Sequence, residues 1–92
     1  MSPASTLVVP RLHPKARLQR DDVRGRDVLL YPEGLVALNA TGVEILGLCD
    51  GARSFAEIIA TLEGRYGTTG LGPDVGAFLD GLAAKGLVTY GS

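Results

Sequence analysis

The chain has very few of the side chains on which catalysis and metal binding depend. His13 and Cys49 are the only histidine and the only cysteine in 92 residues. One cysteine excludes an intramolecular disulfide and any site built from several cysteines, and a metal centre lacks ligands. A nucleophile needs an imidazole held in place beside it, whereas His13 lies in a proline-rich segment. The sequence therefore predicts a protein that is not an enzyme and uses no metal or cofactor.

Tryptophan and long apolar runs are also absent. No apolar run approaches the roughly 20 residues of a membrane span, and Leu7-Val8-Val9 is too short for the core of a signal peptide. Hydrophobic residues make up 46% of the chain but aromatic residues only 5%, so a core must be largely aliphatic. We expect one compact domain, cytoplasmic and without a membrane partner.

Charge is unevenly distributed, although the net charge is only -1. Basic residues outnumber acidic residues up to Asp27, whereas the remainder of the chain carries seven acidic residues against Arg53, Arg65 and Lys85. An acidic surface repels phosphate. We therefore expect no nucleic-acid partner.

The first half of the chain predicts an arm and three strands. Residues 1–14 contain three prolines and little periodicity, which predicts a flexible N-terminal arm before a domain over 15–92. Alternation over 16–19 and the apolar runs Val28–Tyr31 and Leu35–Leu38 predict strands. Pro32-Glu33-Gly34 predicts a hairpin loop in which Gly34 takes a positive φ and forms a bulge.

Two capping boxes predict the first two helices. Thr41 and Glu44 have the spacing of one box, with Asn39 as a rival cap, and Gly51 is the expected end of that helix. Ser54 and Glu57 form the second box. The second helix is expected to carry an apolar stripe and to end at Gly67; the stripe comprises Phe55, Ile58, Ile59, Leu62 and Tyr66.

Pro73 begins a third predicted helix, and Gly86 ends it. Leu87–Tyr90 is predicted to be a short strand or an extended tail. The resulting fold class is α+β: a winged-helix-like domain with a three-stranded antiparallel sheet followed by three short helices. Two functions are compatible with such a layout, DNA binding and peptide binding.

A winged-helix transcriptional regulator would offer Arg, Lys, Asn or Gln to the bases. The predicted second and third helices are instead rich in acidic residues, which disfavours this alternative. An open sheet edge can accept a peptide as an added strand, and the third strand contains no Lys or Pro to prevent it. We expect the peptide to bind between that strand and the third helix, at Leu35, Val36, Ala37, Leu38, Val75, Phe78, Leu79 and Leu82.

The third helix also has a row of small residues around Gly81, with Ala77 and Ala84 on the same side. Glycine within a helix costs about 1 kcal/mol relative to alanine, so a close packing partner is expected. Internal packing, a bound peptide and a homodimer all fit this row.

Several segments resemble the PqqD family of peptide chaperones in pyrroloquinoline quinone biosynthesis, a founder of the recognition elements for ribosomally made precursor peptides. They run in order from Pro10 to Tyr90: Arg24-Gly25-Arg26, Val28–Gly34, Leu38–Gly42, Ile45-Leu46, Leu48–Gly51, Ser54–Ile58 and Gly86–Val88. The resemblance implies a non-catalytic protein that binds the precursor peptide PqqA and presents it to PqqE, a radical S-adenosylmethionine enzyme. In the family the leader peptide pairs with the third strand and packs on the third helix.

Overall fold

The computed structural model describes residues 8–91, which form two small antiparallel sheets and three helices. The elements in chain order are β1 (Val9–Leu12), β2 (Arg17–Asp21), β3 (Arg26–Tyr31), β4 (Gly34–Leu38), α1 (Ala40–Gly47), α2 (Phe55–Tyr66), α3 (Gly72–Ala84) and β5 (Val88–Gly91). The α+β class, with a three-stranded antiparallel sheet followed by three short helices, is confirmed.

The three-stranded sheet has the order β2-β3-β4, and both connections are hairpins. Tyr31 pairs with Gly34, so the second hairpin has only Pro32 and Glu33 in its loop. The predicted positive φ at Gly34 is wrong, because this residue already belongs to the strand. A Cβ at Gly34 would lie 3.4 Å from the Tyr31 hydroxyl oxygen, so the tyrosine side chain covers this glycine.

A second sheet joins the two ends of the described chain. Val9–Leu12, predicted to belong to the flexible arm, form β1 and pair with β5. Pro10 lacks an N–H group, but the strand still forms because its side chain is buried and the Val8 carbonyl accepts a 2.8 Å hydrogen bond from the Phe55 amide. Residues 1–7 of the predicted arm lie outside the described residues, and the boundary at residue 14 stays a prediction.

α1 begins at Asn39, the rival cap, and not at the predicted Thr41–Glu44 box. The Asn39 side-chain oxygen accepts a 2.7 Å hydrogen bond from the Gly42 amide. Glu44 instead turns to α2, where its carboxylate accepts hydrogen bonds from Arg65 and Tyr66. This long-range pairing explains why the local box does not form. The helix also ends earlier than predicted, at Gly47.

α2 follows the sequence pattern closely. The Ser54–Glu57 capping box is confirmed, with both reciprocal hydrogen bonds present. Gly67 ends the helix with φ 62°, a left-handed conformation that glycine adopts without steric cost. Tyr66 is the exception to the predicted stripe, because it is exposed at the end of the helix.

The aliphatic core lies between the helices and one face of the three-stranded sheet. Leu29 at the centre of that sheet is fully buried, as are Ile58 and Leu62 of α2 and Leu79 of α3. Burial of apolar surface provides the main favourable contribution to folding. None of the helices within residues 8–91 has the length and apolar character that crossing a bilayer requires.

Candidate functional site

β4 is an edge strand whose side chains do nothing to block further pairing. It pairs with β3 on one side, and no strand among residues 8–91 pairs with its other side. The strand, Gly34–Leu38, contains neither a charged residue nor a proline. Edge strands of soluble proteins usually carry such residues as protection against pairing with another chain. β4 is therefore open to an added strand.

The hairpin loop indicates which backbone groups of β4 point outward. A two-residue loop places its flanking pair, Tyr31 and Gly34, in a hydrogen-bonded position, and opposite pairs alternate along an antiparallel ladder. Val36 then directs its N–H and C=O groups to β3, whereas those of Leu35 and Ala37 point away from the sheet. We therefore expect Leu35 and Ala37 to provide the main-chain hydrogen bonds to a ligand strand.

The side chains of β4 alternate between the two faces of the sheet. Val36 packs against the core and Leu38 is buried in it. Leu35 lies on the other face, 51% exposed, and Ala37 is exposed there too. A peptide paired with β4 would in the same way divide its side chains between the core side and the outer face.

α3 contributes one partly exposed aromatic side chain at the end of β4. A Cβ at Gly42 would lie 3.3 Å from Phe78 Cζ and 3.5 Å from Leu38 Cδ2, so both side chains border this glycine. The other predicted wall residues of α3, Val75, Leu79 and Leu82, are buried in the core. Of the eight predicted residues, Leu35, Val36, Ala37 and Phe78 are at least partly exposed.

A cavity of about 390 Å³ adjoins Gly42 and Phe78. We call it the helix cavity, because α1, the end of α2 and the start of α3 surround it. It is lined by Asn39, Thr41, Gly42, Ile45, Leu62, Tyr66, Leu71, Asp74, Val75 and Phe78. Of these, sequence reasoning proposed only Val75 and Phe78 as binding residues. For the other lining residues, the only local sign in the sequence was the apolar stripe of α2, which includes Leu62 and Tyr66.

Hydrogen bonds hold the polar rim of the helix cavity in place. The Tyr66 hydroxyl donates to Glu44 over 2.6 Å, and Arg65 Nη1 lies 3.1 Å from the same carboxylate. These two donors, Tyr66 first, hold the pKa of Glu44 below its ordinary value. Glu63 accepts a 3.1 Å hydrogen bond from the Leu71 amide, which orders the loop before α3. These hydrogen bonds link α1, the end of α2 and the start of α3 around the cavity.

The two residues with catalytic potential lie away from the cavity. His13 Nδ1 accepts a hydrogen bond from the Lys15 amide, 3.0 Å away, within the loop before β2. Cys49 is buried, and burial raises the pKa of its thiol to about 11. A thiol of this kind is protonated at neutral pH and is a poor nucleophile. Within residues 8–91 no group of three potential metal ligands comes together.

Comparisons with known proteins agree on one family. The model of the family "Coenzyme PQQ synthesis protein D (PqqD)" matches residues 27–88. A PqqA binding protein of Rhodopseudomonas palustris (strain TIE-1) is 46% identical, covering 97% of this chain and 86% of its own length. Another, from Methylococcus capsulatus, is 39% identical, covering 84% of this chain and 83% of its own length.

Solved structures show the same fold. The solution NMR structure of the PqqD truncation of Methylobacterium extorquens PqqCD, a functional and stand-alone recognition element for ribosomally synthesized and modified peptides, is 31% identical. It superposes with a TM-score of 0.71 over 92% of both chains. The heterocyclase TruD, 20% identical, shares the fold over 90% of this chain and 11% of its own, with a TM-score of 0.64. By sequence and by fold, the chain belongs to the PqqD family.

Proposed function

We propose that this protein binds the precursor peptide PqqA as a strand added to β4 and presents it to the radical S-adenosylmethionine enzyme PqqE. The relatives from R. palustris and M. capsulatus are both PqqA binding proteins. The observation that carries the mode of binding is the edge of β4, which has no protecting charge and has a partly exposed Phe78 near its Leu38 end.

The backbone supplies affinity in this arrangement and the side chains supply selectivity. Leu35 and Ala37 offer N–H and C=O groups to a peptide of any sequence. A side chain of the peptide that points to the core side would meet Val36 and Phe78, which are apolar. The pleat sends the next side chain of the peptide to the outer face, beside Leu35. The protein therefore selects the peptide mainly by every second residue, whose side chain points to the core side.

The proposed role involves no chemistry by this protein. An unfolded peptide loses conformational freedom when it is ordered beside β4, and this loss offsets much of the contact energy. Moderate affinity is sufficient, because holding the peptide and the enzyme together raises their effective concentration. The enzyme would bind a separate surface, since the peptide occupies β4.

DNA binding, the alternative considered from the sequence, gains no support from α3. Its charged residues are Asp74 and Asp80, both acidic and both exposed. Phosphate contacts provide most of the affinity of DNA-binding proteins and require basic side chains. A helix of this charge is unsuited to a DNA groove.

An amide-shift titration of the intact protein with synthetic PqqA tests the proposal. We expect the largest changes over Leu35–Leu38 and along α3 from Val75 to Leu82, because these groups would contact or adjoin the added strand. Isotope-edited contacts between peptide amides and those of Leu35 and Ala37 would establish strand addition directly. Absence of any shift, or shifts confined to residues 1–14, would contradict the proposed site.

A further inference from the structure

The helix cavity adjoins the end of β4, because Asn39, the residue that follows the strand, is one of its lining residues. Gly42, in the first turn of α1, also lines it, and so does Phe78, whose ring borders this glycine. An extended chain advances about 3.3 Å per residue. A peptide paired along Leu35–Ala37 thus reaches the cavity within two or three residues of its paired segment.

The walls of the cavity are suited to a long hydrocarbon group. Its interior is formed by aliphatic and aromatic side chains from all three helices: Ile45, Leu62, Leu71, Val75 and Phe78. A volume of about 390 Å³ is enough for one large side chain. The polar lining residues are Asn39, whose side-chain oxygen already accepts from the Gly42 amide, and Thr41, Tyr66 and Asp74.

The charge of the rim is negative. Glu44 has Arg65 as its counter-ion, but Asp74 forms no ion pair or side-chain hydrogen bond with any residue in the range 8–91. The positive end of the α3 dipole amounts to about half a charge, which is less than the full charge of Asp74. Glu63 adds a further carboxylate at the same end of α3. A cation is favoured at this rim, and an anion is not.

An apolar interior beneath an acidic rim matches a side chain with a hydrocarbon stem and a cationic head. Lysine and arginine bury such stems while their charged heads stay in water. We propose that the helix cavity binds one lysine or arginine side chain of the bound peptide, and that Asp74 is the residue that selects it. This inference rests on the proposed peptide binding and adds the class of residue that anchors the peptide.

The central test measures the affinity of the intact protein for synthetic PqqA at low salt, by calorimetry. Asp74→Asn removes the charge and keeps the shape of the side chain. We expect it to weaken binding about two- to fivefold, the range for an exposed ion pair, and the loss should shrink in high salt. Asp22→Asn is the matched control, because it removes the same charge from a side chain that is 92% exposed in the β2–β3 turn.

Peptide variants identify the partner of Asp74. Each lysine or arginine of PqqA is replaced in turn by norleucine, which keeps a hydrocarbon stem and removes the charge. We expect one replacement to weaken binding of the wild-type protein about as much as Asp74→Asn does. That replacement should cause no further loss when combined with Asp74→Asn, because the two changes remove the same interaction.

The outcomes separate this inference from the proposed function. If wild-type protein binds PqqA but Asp74→Asn and Asp22→Asn both leave the affinity unchanged, the anchoring role is overturned and strand addition stands. Asp74→Asn could also weaken binding by an amount that adds fully to the loss caused by each norleucine replacement. In that case no lysine or arginine of the peptide interacts with Asp74, and the basic-residue anchor is likewise overturned. If wild-type protein does not bind PqqA at all, the proposed function itself fails.

Discussion

The two edge strands of the three-stranded sheet both have free backbone groups, but β2 carries charged side chains and β4 carries none. β2 carries Arg17 and Arg20, and Arg20 lies 3.3 Å from the Asp27 carboxylate of β3. β4 carries only glycine, alanine and branched aliphatic residues. Charged side chains discourage edge-to-edge pairing, whereas an uncharged strand permits it. Composition therefore makes one edge protected and the other receptive.

Position in the fold strengthens this difference. Beside the end of β4 stand Phe78 and the helix cavity, which can receive side chains of an added strand. The turn that leaves β2 instead holds two ion pairs, Arg24 with the half-buried Asp21 and Arg20 with the exposed Asp22. An edge becomes a binding site when free backbone groups and a place for side chains occur together.

The largest effects on stability and on PqqA affinity are expected from α3. Its neighbouring residues Leu79 and Phe78 differ, since Leu79 belongs to the core and Phe78 lies near the receptive edge. Leu79 is fully buried, so Leu79→Ala should lower the free energy of unfolding by about 2–5 kcal/mol through lost packing and a cavity. Phe78→Ala should cost less stability, because Phe78 is partly exposed, but should weaken PqqA binding more than tenfold. Urea unfolding and calorimetry provide the two measurements. For each variant, the loss of PqqA affinity is divided by the loss of unfolding free energy. If this ratio were the same for Phe78→Ala and Leu79→Ala, α3 would affect binding only through the stability of the core.

Proline substitutions should distinguish the two edges directly. Ala37→Pro removes an N–H group that we expect to point away from the sheet, which an edge strand tolerates. Affinity for PqqA should fall about tenfold or more, since one hydrogen bond is lost and the ring obstructs pairing. Arg20→Pro is the matched control on β2, whose outward position follows from the same alternation.

Circular dichroism of both proline variants should match the wild type. The comparison of edges would be refuted if Arg20→Pro, in a folded protein, weakened PqqA binding as much as Ala37→Pro.

A smaller effect is expected from acid, and it belongs to the β2 edge. The Arg24 amide donates to Asp21 over 3.2 Å, and this bond, together with the Arg24 side chain, lowers the pKa of Asp21 below its ordinary value of 3.8. A lowered pKa in the folded state contributes stability above the unfolded pKa, and the contribution is lost as pH falls through the folded value.

Wild-type protein should therefore exceed Asp21→Asn in stability near neutral pH, and the difference should shrink as pH falls below 3.8. Urea titrations at several pH values measure this. A difference that grew in acid would reverse the assignment. Binding of PqqA through the uncharged β4 backbone should show no parallel change from Asp21→Asn.

Much of the fold follows from local patterns. The Ser54–Glu57 box and Gly67 bound α2 as predicted, because a cap and a left-handed glycine act within one turn of chain. The open character of Leu35–Leu38 was equally visible, since it depends on which residues the strand lacks. Predictions failed where a contact distant in the chain intervened, as at Glu44, which pairs with α2 and not with Thr41.

The candidate site was less accessible to sequence reasoning. Periodicity put Val75, Phe78, Leu79 and Leu82 on one stripe, but only packing shows that Phe78 alone remains partly exposed. The helix cavity brings Thr41, Tyr66 and Asp74 together from three separate helices. Such a combination has no signature in the spacing of residues along the chain.

The sequence by itself determined the bounds of α2, the β3–β4 hairpin and which edge of the sheet lacks protection, because capping, turn chemistry and charge act over a few residues. Tertiary structure decided that Val9–Leu12 pair with β5, that Glu44 binds α2 rather than its own helix end, and that a cavity opens beyond β4. These features depend on contacts between residues far apart in the chain, whose energies are settled only when the whole core packs.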